Sequence, residues 1–103
     1  MQPAVFEILT WRSREGVKNK TMINAMHDFS HDVKQLPGFV QQSLYQNSSS
    51  EWVCIYYWET EQQAKDSNAA VAGTASFLAL MELISAESVT MEVMTPLQTC
   101  SAD

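Results

Sequence analysis

The side chains best suited to chemistry cluster in and after one short run, Glu51-Trp52-Val53-Cys54-Ile55-Tyr56-Tyr57-Trp58. Trp52, Tyr56, Tyr57 and Trp58 could wall an aromatic pocket for a flat, oxidisable ligand. The competing use of such rings is hydrophobic core and subunit interface. Tyr56, Trp58 and, a little downstream, Asn68 can donate hydrogen bonds to an oxygen that gains negative charge. Far upstream, Glu7 is the one carboxylate in the strand-forming run Val5 to Trp11. It could act as a base if it faced a pocket. Acidic side chains are rarely buried unpaired, which favours solvent or an interface for Glu7.

A second cluster is His27-Asp28-Phe29-Ser30-His31-Asp32. His27 and His31 are four apart and share a helix face, as two metal ligands would. With Met22 set to zero, the apolar stripe of that helix spans about −40° to +40°, and the two His fall near 140° and 180°. They point away from the core, and no third ligand is placed by the sequence. A solvated pair is expected, with no metal. Gly16, Gly38 and Gly73 form no phosphate-cradling loop, and no dinucleotide, Walker or nucleophile-elbow motif is present.

The elements that must position these groups follow from hydrophobic period. Val5 to Trp11 reads as a strand, broken by the polar Arg12-Ser13-Arg14-Glu15-Gly16. A helix follows from about Val17 to Gln35, with Met22, Met26, Phe29, Val33 and Leu36 on one stripe and Ile23 at its edge. Leu36-Pro37-Gly38 ends it. Phe39 to Tyr45 is a more polar strand, expected at an edge and joined through Asn47-Ser48-Ser49-Ser50 to the aromatic run as a hairpin. The aromatic run is apolar on both faces and so is expected to be central. Thr60-Glu61-Gln62-Gln63 has capping-box spacing and opens a second helix through Ala64 and Ala69 towards Ala72. Gly73-Thr74 interrupts it. Thr74 caps a further segment with Phe77, Leu80, Met81 and Ile84 on one stripe, of which Phe77 and Met81 are candidate ligand contacts. Val89 to Thr95 is the last strand, ended by Pro96.

The order strand, helix, strand, strand, helix, strand is the ferredoxin-like βαββαβ arrangement, an α+β fold. It comprises one domain, residues 1–103, with a core over about 4–95 and a tail over 96–103. Right-handed crossovers put the helices on one face of a four-stranded antiparallel sheet. The other face is left apolar and uncovered, which a single domain rarely tolerates. A homodimer packed sheet to sheet is expected. Which of the two side-chain sets of the aromatic run faces the helices is left open.

Composition bounds the partners. The chain carries 12 acidic and 6 basic residues, a formal charge of −6. Such a surface repels phosphate backbones, so nucleic acid is not an expected partner. Cys54 reads as a buried packing thiol and Cys100 as a loose one, with no disulfide framework. The six methionines read mainly as adaptable core filling. The start, Met1 to Glu7, lacks a basic stretch and a long apolar run. No segment approaches the ~20 apolar residues of a membrane span. A cytoplasmic chain without a membrane partner is expected.

The sequence resembles the antibiotic biosynthesis monooxygenase-like family of dimeric α/β-barrel proteins. The likeness covers about Val5 to Thr95. It rests on the polar turn with Gly16, on Leu36-Pro37-Gly38-Phe39, and above all on Tyr56-Tyr57-Trp58-Glu59-Thr60-Glu61-Gln62-Gln63-Ala64. The resemblance implies a cofactor-independent monooxygenase acting on a small aromatic or quinol-like substrate. The competing implication is a non-catalytic dimeric ligand-binding or stress-associated protein, because this superfamily hosts many chemistries. Its quinone-forming members work without metal or flavin through Asn, Trp, Tyr and Arg groups. Trp58, Asn68 and Tyr56 could supply the catalytic groups, with Trp11, Glu7, Phe77 and Met81 against the substrate. No Arg lies beyond Arg14. The heme-degrading branch places an Asn near what is here Leu9 and a Trp near Ser67, and no His follows His31. Heme degradation is therefore not expected.

Overall fold

The computed structural model describes residues 5–102. Residues 1–4 and 103, which include the start read for a leader and the last residue of the tail, lie outside the described residues. The elements are β1 (Val5–Trp11), α1 (Asn19–Val33), β2 (Phe39–Gln46), β3 (Trp52–Trp58), α2 (Glu61–Val71), α3 (Ala75–Met81) and β4 (Thr90–Met94). The four strands form one antiparallel sheet in the order β2-β3-β1-β4. This is the ferredoxin-like order, with β3 central and β2 at an edge.

Strand β3 shows why the sheet has two unlike faces. Successive side chains on a strand point to opposite sides. Trp52, Cys54, Tyr56 and Trp58 are all at most 5% exposed, whereas Val53, Ile55 and Tyr57 are only half-buried. The even set therefore lies under the helices. The register carries Val5, Glu7, Leu9 and Trp11 of β1 onto the same side, and Phe6, Ile8 and Thr10 onto the other. On β2 a bulge between Phe39 and Gln41 resets the parity. It brings Phe39 opposite Trp58 and Leu44 opposite Cys54, while the extra residue Val40 stands exposed.

Helix α1 buries Met22, Met26, Phe29 and Val33, the expected stripe, and leaves Ile23 half-exposed. The turn after it uses Gly38 at φ +81°, a left-handed conformation that glycine adopts without a Cβ penalty. Two threonines start the later helices. The Thr60 hydroxyl accepts from the Gln63 backbone N–H at 3.1 Å, and the Thr74 hydroxyl from that of Phe77 at 3.2 Å. Each satisfies a donor that the first helical turn leaves without an internal partner.

Two expectations need correction. Helix α3 ends at Met81, so Ile84 is not on its stripe; Ile84 instead pairs with Ser13 across an isolated bridge and is buried there. The methionines are not all core, because Met91 and Met94 on β4 are 52% and 38% exposed. Strand β4 is an edge of only five residues, preceded by a short 3₁₀ turn at Ala86–Ser88.

Thr60→Ala and Thr74→Ala should each lower unfolding free energy by about 1 kcal/mol, and the Thr→Ser versions by much less. Urea denaturation measures this. A loss indistinguishable from zero at both positions would contradict the capping account.

Candidate functional site

Between the helix-covered side of the sheet and the three helices lies a cavity of about 80 Å³. It is large enough for roughly half a dozen waters, at ~10–15 Å³ each. Strands β1 and β3 supply its floor through Glu7, Leu9, Trp11, Cys54, Tyr56 and Trp58. Helix α1 adds Met26, Phe29 and Val33, and α2 adds Ser67, Asn68 and Val71. Phe77, Leu80 and Met81 of α3 close it, with Ile84 and Val89 beyond. The wall is overwhelmingly apolar, with no Lys, Arg or His among its residues.

Glu7 is the exception. Its side chain is 2% exposed. One oxygen, Oε1, accepts from the Trp58 indole N–H at 3.2 Å, while Oε2 is buried with no partner among the described residues. Removal from water disfavours the charged form and pushes its pKa up from 4.5. The Trp58 N–H pulls it partly back, and the Asn68 amide acts in the same sense from outside hydrogen-bonding geometry. Register explains the placement: Glu7 pairs with Tyr56 on β3 and with Val93 on β4, positions that face the helices. The expectation that Glu7 faces solvent or an interface is therefore corrected. Strand parity fixes its side once Trp11 and Leu9 are committed to the core, and this overrides the general cost of burying a carboxylate.

The other polar groups of the wall are held in their neutral forms. Burial pushes the Cys54 thiol up to about 11, against opposing hydrogen bonds from Gln42 and Tyr56. Gln42 Nε2 reaches the sulfur at 3.2 Å. Burial likewise raises the Tyr56 phenol, whose hydroxyl is directed at the Met26 sulfur, 3.9 Å away. Ser67 Oγ donates to the Ala64 carbonyl at 2.6 Å. The Trp11 indole N–H is buried with no partner among the described residues. Of the titratable groups on the wall, Glu7 alone is a carboxylate, and its burial makes it a stronger base than a carboxylate in water.

No protein-family model matches the sequence, and no curated protein matches it. Solved structures do. SnoaB of Streptomyces nogalater, a cofactor-independent oxygenase, superposes with a TM-score of 0.72 at 16% identity, over 94% of this chain and 96% of SnoaB. Rv0793 of Mycobacterium tuberculosis gives 0.70 at 16% identity over 95% and 99%. A Nitrosomonas europaea protein provisionally designated an antibiotic biosynthesis monooxygenase gives 0.68 at 14% over 94% of both chains. The chain has the antibiotic biosynthesis monooxygenase-like fold. At these identities the likeness establishes the architecture alone.

Within this monooxygenase-like fold, the seven residues singled out from sequence all reach the cavity wall: Trp58, Asn68, Tyr56, Trp11, Glu7, Phe77 and Met81. Asn68 is exposed overall and so sits at the rim. Two of the four candidate pocket aromatics do not belong to the wall. Tyr57 lies on the opposite sheet face, edge-on to Phe6 with ring centroids 4.4 Å apart. Trp52 is buried at the far end of β3, its N–H donating to Ser13 Oγ at 2.9 Å. Leu9 and Ser67, near which the resemblance places the Asn and Trp of the heme-degrading branch, both line the cavity. Cys54, read only as packing, also lines it. Its even position beside Tyr56 was the available signal. His27 and His31 are both exposed, edge to face at 4.9 Å, and no group of three metal-ligating side chains occurs among the described residues. Among the described residues no helix is long and apolar enough to cross a membrane.

Two measurements check this electrostatic picture. Between 4.5, the ordinary value, and its raised native value, Glu7 binds more protons in the folded than in the unfolded chain. Stability should fall as pH rises through that window, and Glu7→Gln should flatten the fall. An unchanged profile in Glu7→Gln would contradict it. Second, a disulfide-exchange reagent at neutral pH should titrate Cys100 in the native protein and Cys54 only after denaturation, because Cys100 is exposed and Cys54 buried. Equal native reactivity would contradict the burial.

Proposed function

We propose that this chain is a cofactor-independent monooxygenase acting on a small aromatic or quinol-like substrate held in the cavity. The observation that carries the reading is Glu7, a buried carboxylate among the residues lining an apolar cavity, one of whose oxygens has no hydrogen-bond partner among the described residues. In such a site a carboxylate of raised pKa is a stronger base than in water. The likeness of fold to a cofactor-independent oxygenase supports it.

Glu7 would take a proton from an activated C–H of a substrate that carries a ring carbonyl. The resulting carbanion, delocalised as an enolate, passes an electron to O₂, and the radical pair joins to form a C–O bond. The peroxide anion takes its proton from protonated Glu7. Loss of the second C–H proton with cleavage of the O–O bond leaves a new carbonyl and one water. One oxygen atom enters the product and the other leaves as water, so the electrons balance without metal or flavin. The cavity's part is to exclude water and hold the ring against Phe77 and Met81.

A non-catalytic ligand-binding protein is the alternative, favoured by the lack of any cationic side chain on the wall to steady a developing anion. We further propose that the chain acts as a homodimer. The sheet face away from the helices carries Phe6, Ile8, Ile55 and Tyr57 half-buried, with Tyr45 54% exposed beside them. A second copy would cover this patch. The free Cys54 and Cys100 suit a reducing, cytoplasmic setting.

Oxygen uptake with a panel of anthrones and hydroquinones tests the activity. Turnover should appear for at least one substrate and fall on the order of 10²-fold or more in Glu7→Gln. Ligand binding without oxygen uptake would favour the alternative. Light scattering at micromolar concentration should give twice the chain mass, and Ile55→Lys should lower it. A monomeric wild type would defeat the dimer.

A further inference from the structure

The cavity measures about 80 Å³, room for roughly half a dozen waters. Those waters, at about 30 Å³ of liquid each, would fill roughly 180 Å³, and an apolar cavity of about 150 Å³ takes one benzene. The space therefore matches a single aromatic ring with small substituents. It falls short of three fused rings. Its floor is pinned, because Tyr56 and Trp58 are 5% and 1% exposed and stand on a strand paired along both edges. Phe39 also packs edge-on against Trp58, with ring centroids 5.8 Å apart. Its ceiling is tied as well. Phe29 of α1 meets Phe77 of α3 with ring centroids at 5.9 Å, and the Asp32 carboxylate of α1 accepts from the Ser76 hydroxyl of α3. Widening the cavity would break these contacts, and packed interiors yield little.

We propose that the cavity takes neutral ligands of one aromatic ring, a monocyclic hydroquinone among them, and excludes fused three-ring compounds. The inference rests on the reading of the cavity as the ligand site, and it narrows the substrate class without depending on turnover. Charge follows from the lining. Glu7 is among the lining residues, and no Lys, Arg or His is. An anion would give up its water there with no cation in the wall to replace it. Size follows from volume, and it runs against the ordinary trend. Burial of apolar area alone makes a larger ring system bind more tightly. A wall that does not yield reverses that order. Phe77 is the residue placed to set the limit. It lines the cavity from α3, packs on Phe29, and is half-buried. Removing its ring enlarges the space and leaves the buried stripe of α1 intact.

The test is equilibrium dialysis at neutral pH with three probes: p-cresol, its anionic relative 4-hydroxybenzoate, and the three-ring anthrone. Wild-type protein should hold p-cresol at least about tenfold more tightly than either of the others. Phe77→Ala should gain at least about tenfold for anthrone and lose affinity for p-cresol. NMR of methyl-labelled methionines locates the ligand. With p-cresol, Met26 and Met81 on the cavity wall should shift, and Met94, opposite Phe6 on the open sheet face, should stay. Anthrone or 4-hydroxybenzoate binding as tightly as p-cresol would overturn the proposal. So would no binding of any probe, a shift at Met94 in place of Met81, or an unmoved anthrone affinity in folded Phe77→Ala. The wild-type order decides the matter even if Phe77→Ala fails to fold. If the size limit holds and no substrate consumes oxygen, the oxygenase reading falls and this one stands. Oxygen uptake with anthrones and none with monocyclic hydroquinones would do the reverse.

Discussion

A carboxylate moved from water into an apolar wall costs several kcal/mol unless hydrogen bonds or a counter-charge meet it. Among the described residues, Glu7 is met by one indole N–H and by no cation. The chain tolerates this because β1 cannot turn Glu7 outward without turning Val5, Leu9 and Trp11 outward too. The register against β3 locks that choice, with Trp11 opposite Trp52 and Val5 opposite Trp58. The same constraint orders the rest of the molecule. Once the even side chains of β3 lie under the helices, Phe6, Ile8, Ile55 and Tyr57 must lie on the open face. The cavity and the bare sheet are two consequences of one parity.

The helices then serve as a lid of apolar side chains over a floor that carries the polar groups. Met22, Met26, Phe29 and Val33 of α1 fill their stripe, and Phe77 of α3 packs on Phe29 with ring centroids 5.9 Å apart. The Asp32 carboxylate accepts from the Ser76 hydroxyl and fastens α1 to the start of α3. What remains unfilled is the space over Glu7, Tyr56 and Trp58. Similar architecture in SnoaB and Rv0793, at 16% identity each, shows that very different sequences can build this frame. Function must then be argued from the side chains that face the space.

Much of this was legible in the residues. Apolar spacing marked α1, Thr60 and Thr74 marked two helix starts, and Leu36-Pro37-Gly38 marked the turn into β2. These signals are local, and local physics decides them. The orientation of β3 was not legible, because both of its side-chain sets are apolar and either could face a helix. That ambiguity left Tyr57 and Trp52 among the pocket candidates, while the rarity of unpaired buried carboxylates set Glu7 towards solvent or an interface. Register, bulge and parity resolve it, and they depend on pairings between residues tens of positions apart. The bulge at Val40 has no sequence mark at all. Ile84 was assigned to the α3 stripe by period, but the helix stops at Met81 and the residue is captured by Ser13. The unpartnered Trp11 N–H was invisible for the same reason: a missing partner is a property of the assembled site.

The central claim is that Glu7 is a desolvated carboxylate facing the cavity, able to accept a proton from a ligand. The most direct measurement is a ¹³C NMR titration of the Glu7 side-chain carboxyl, identified by its absence in Glu7→Gln. The account predicts a midpoint above 4.5, the ordinary value for the group. A midpoint at or below 4.5 would mean that the ion is fully satisfied where it stands, and would contradict the account.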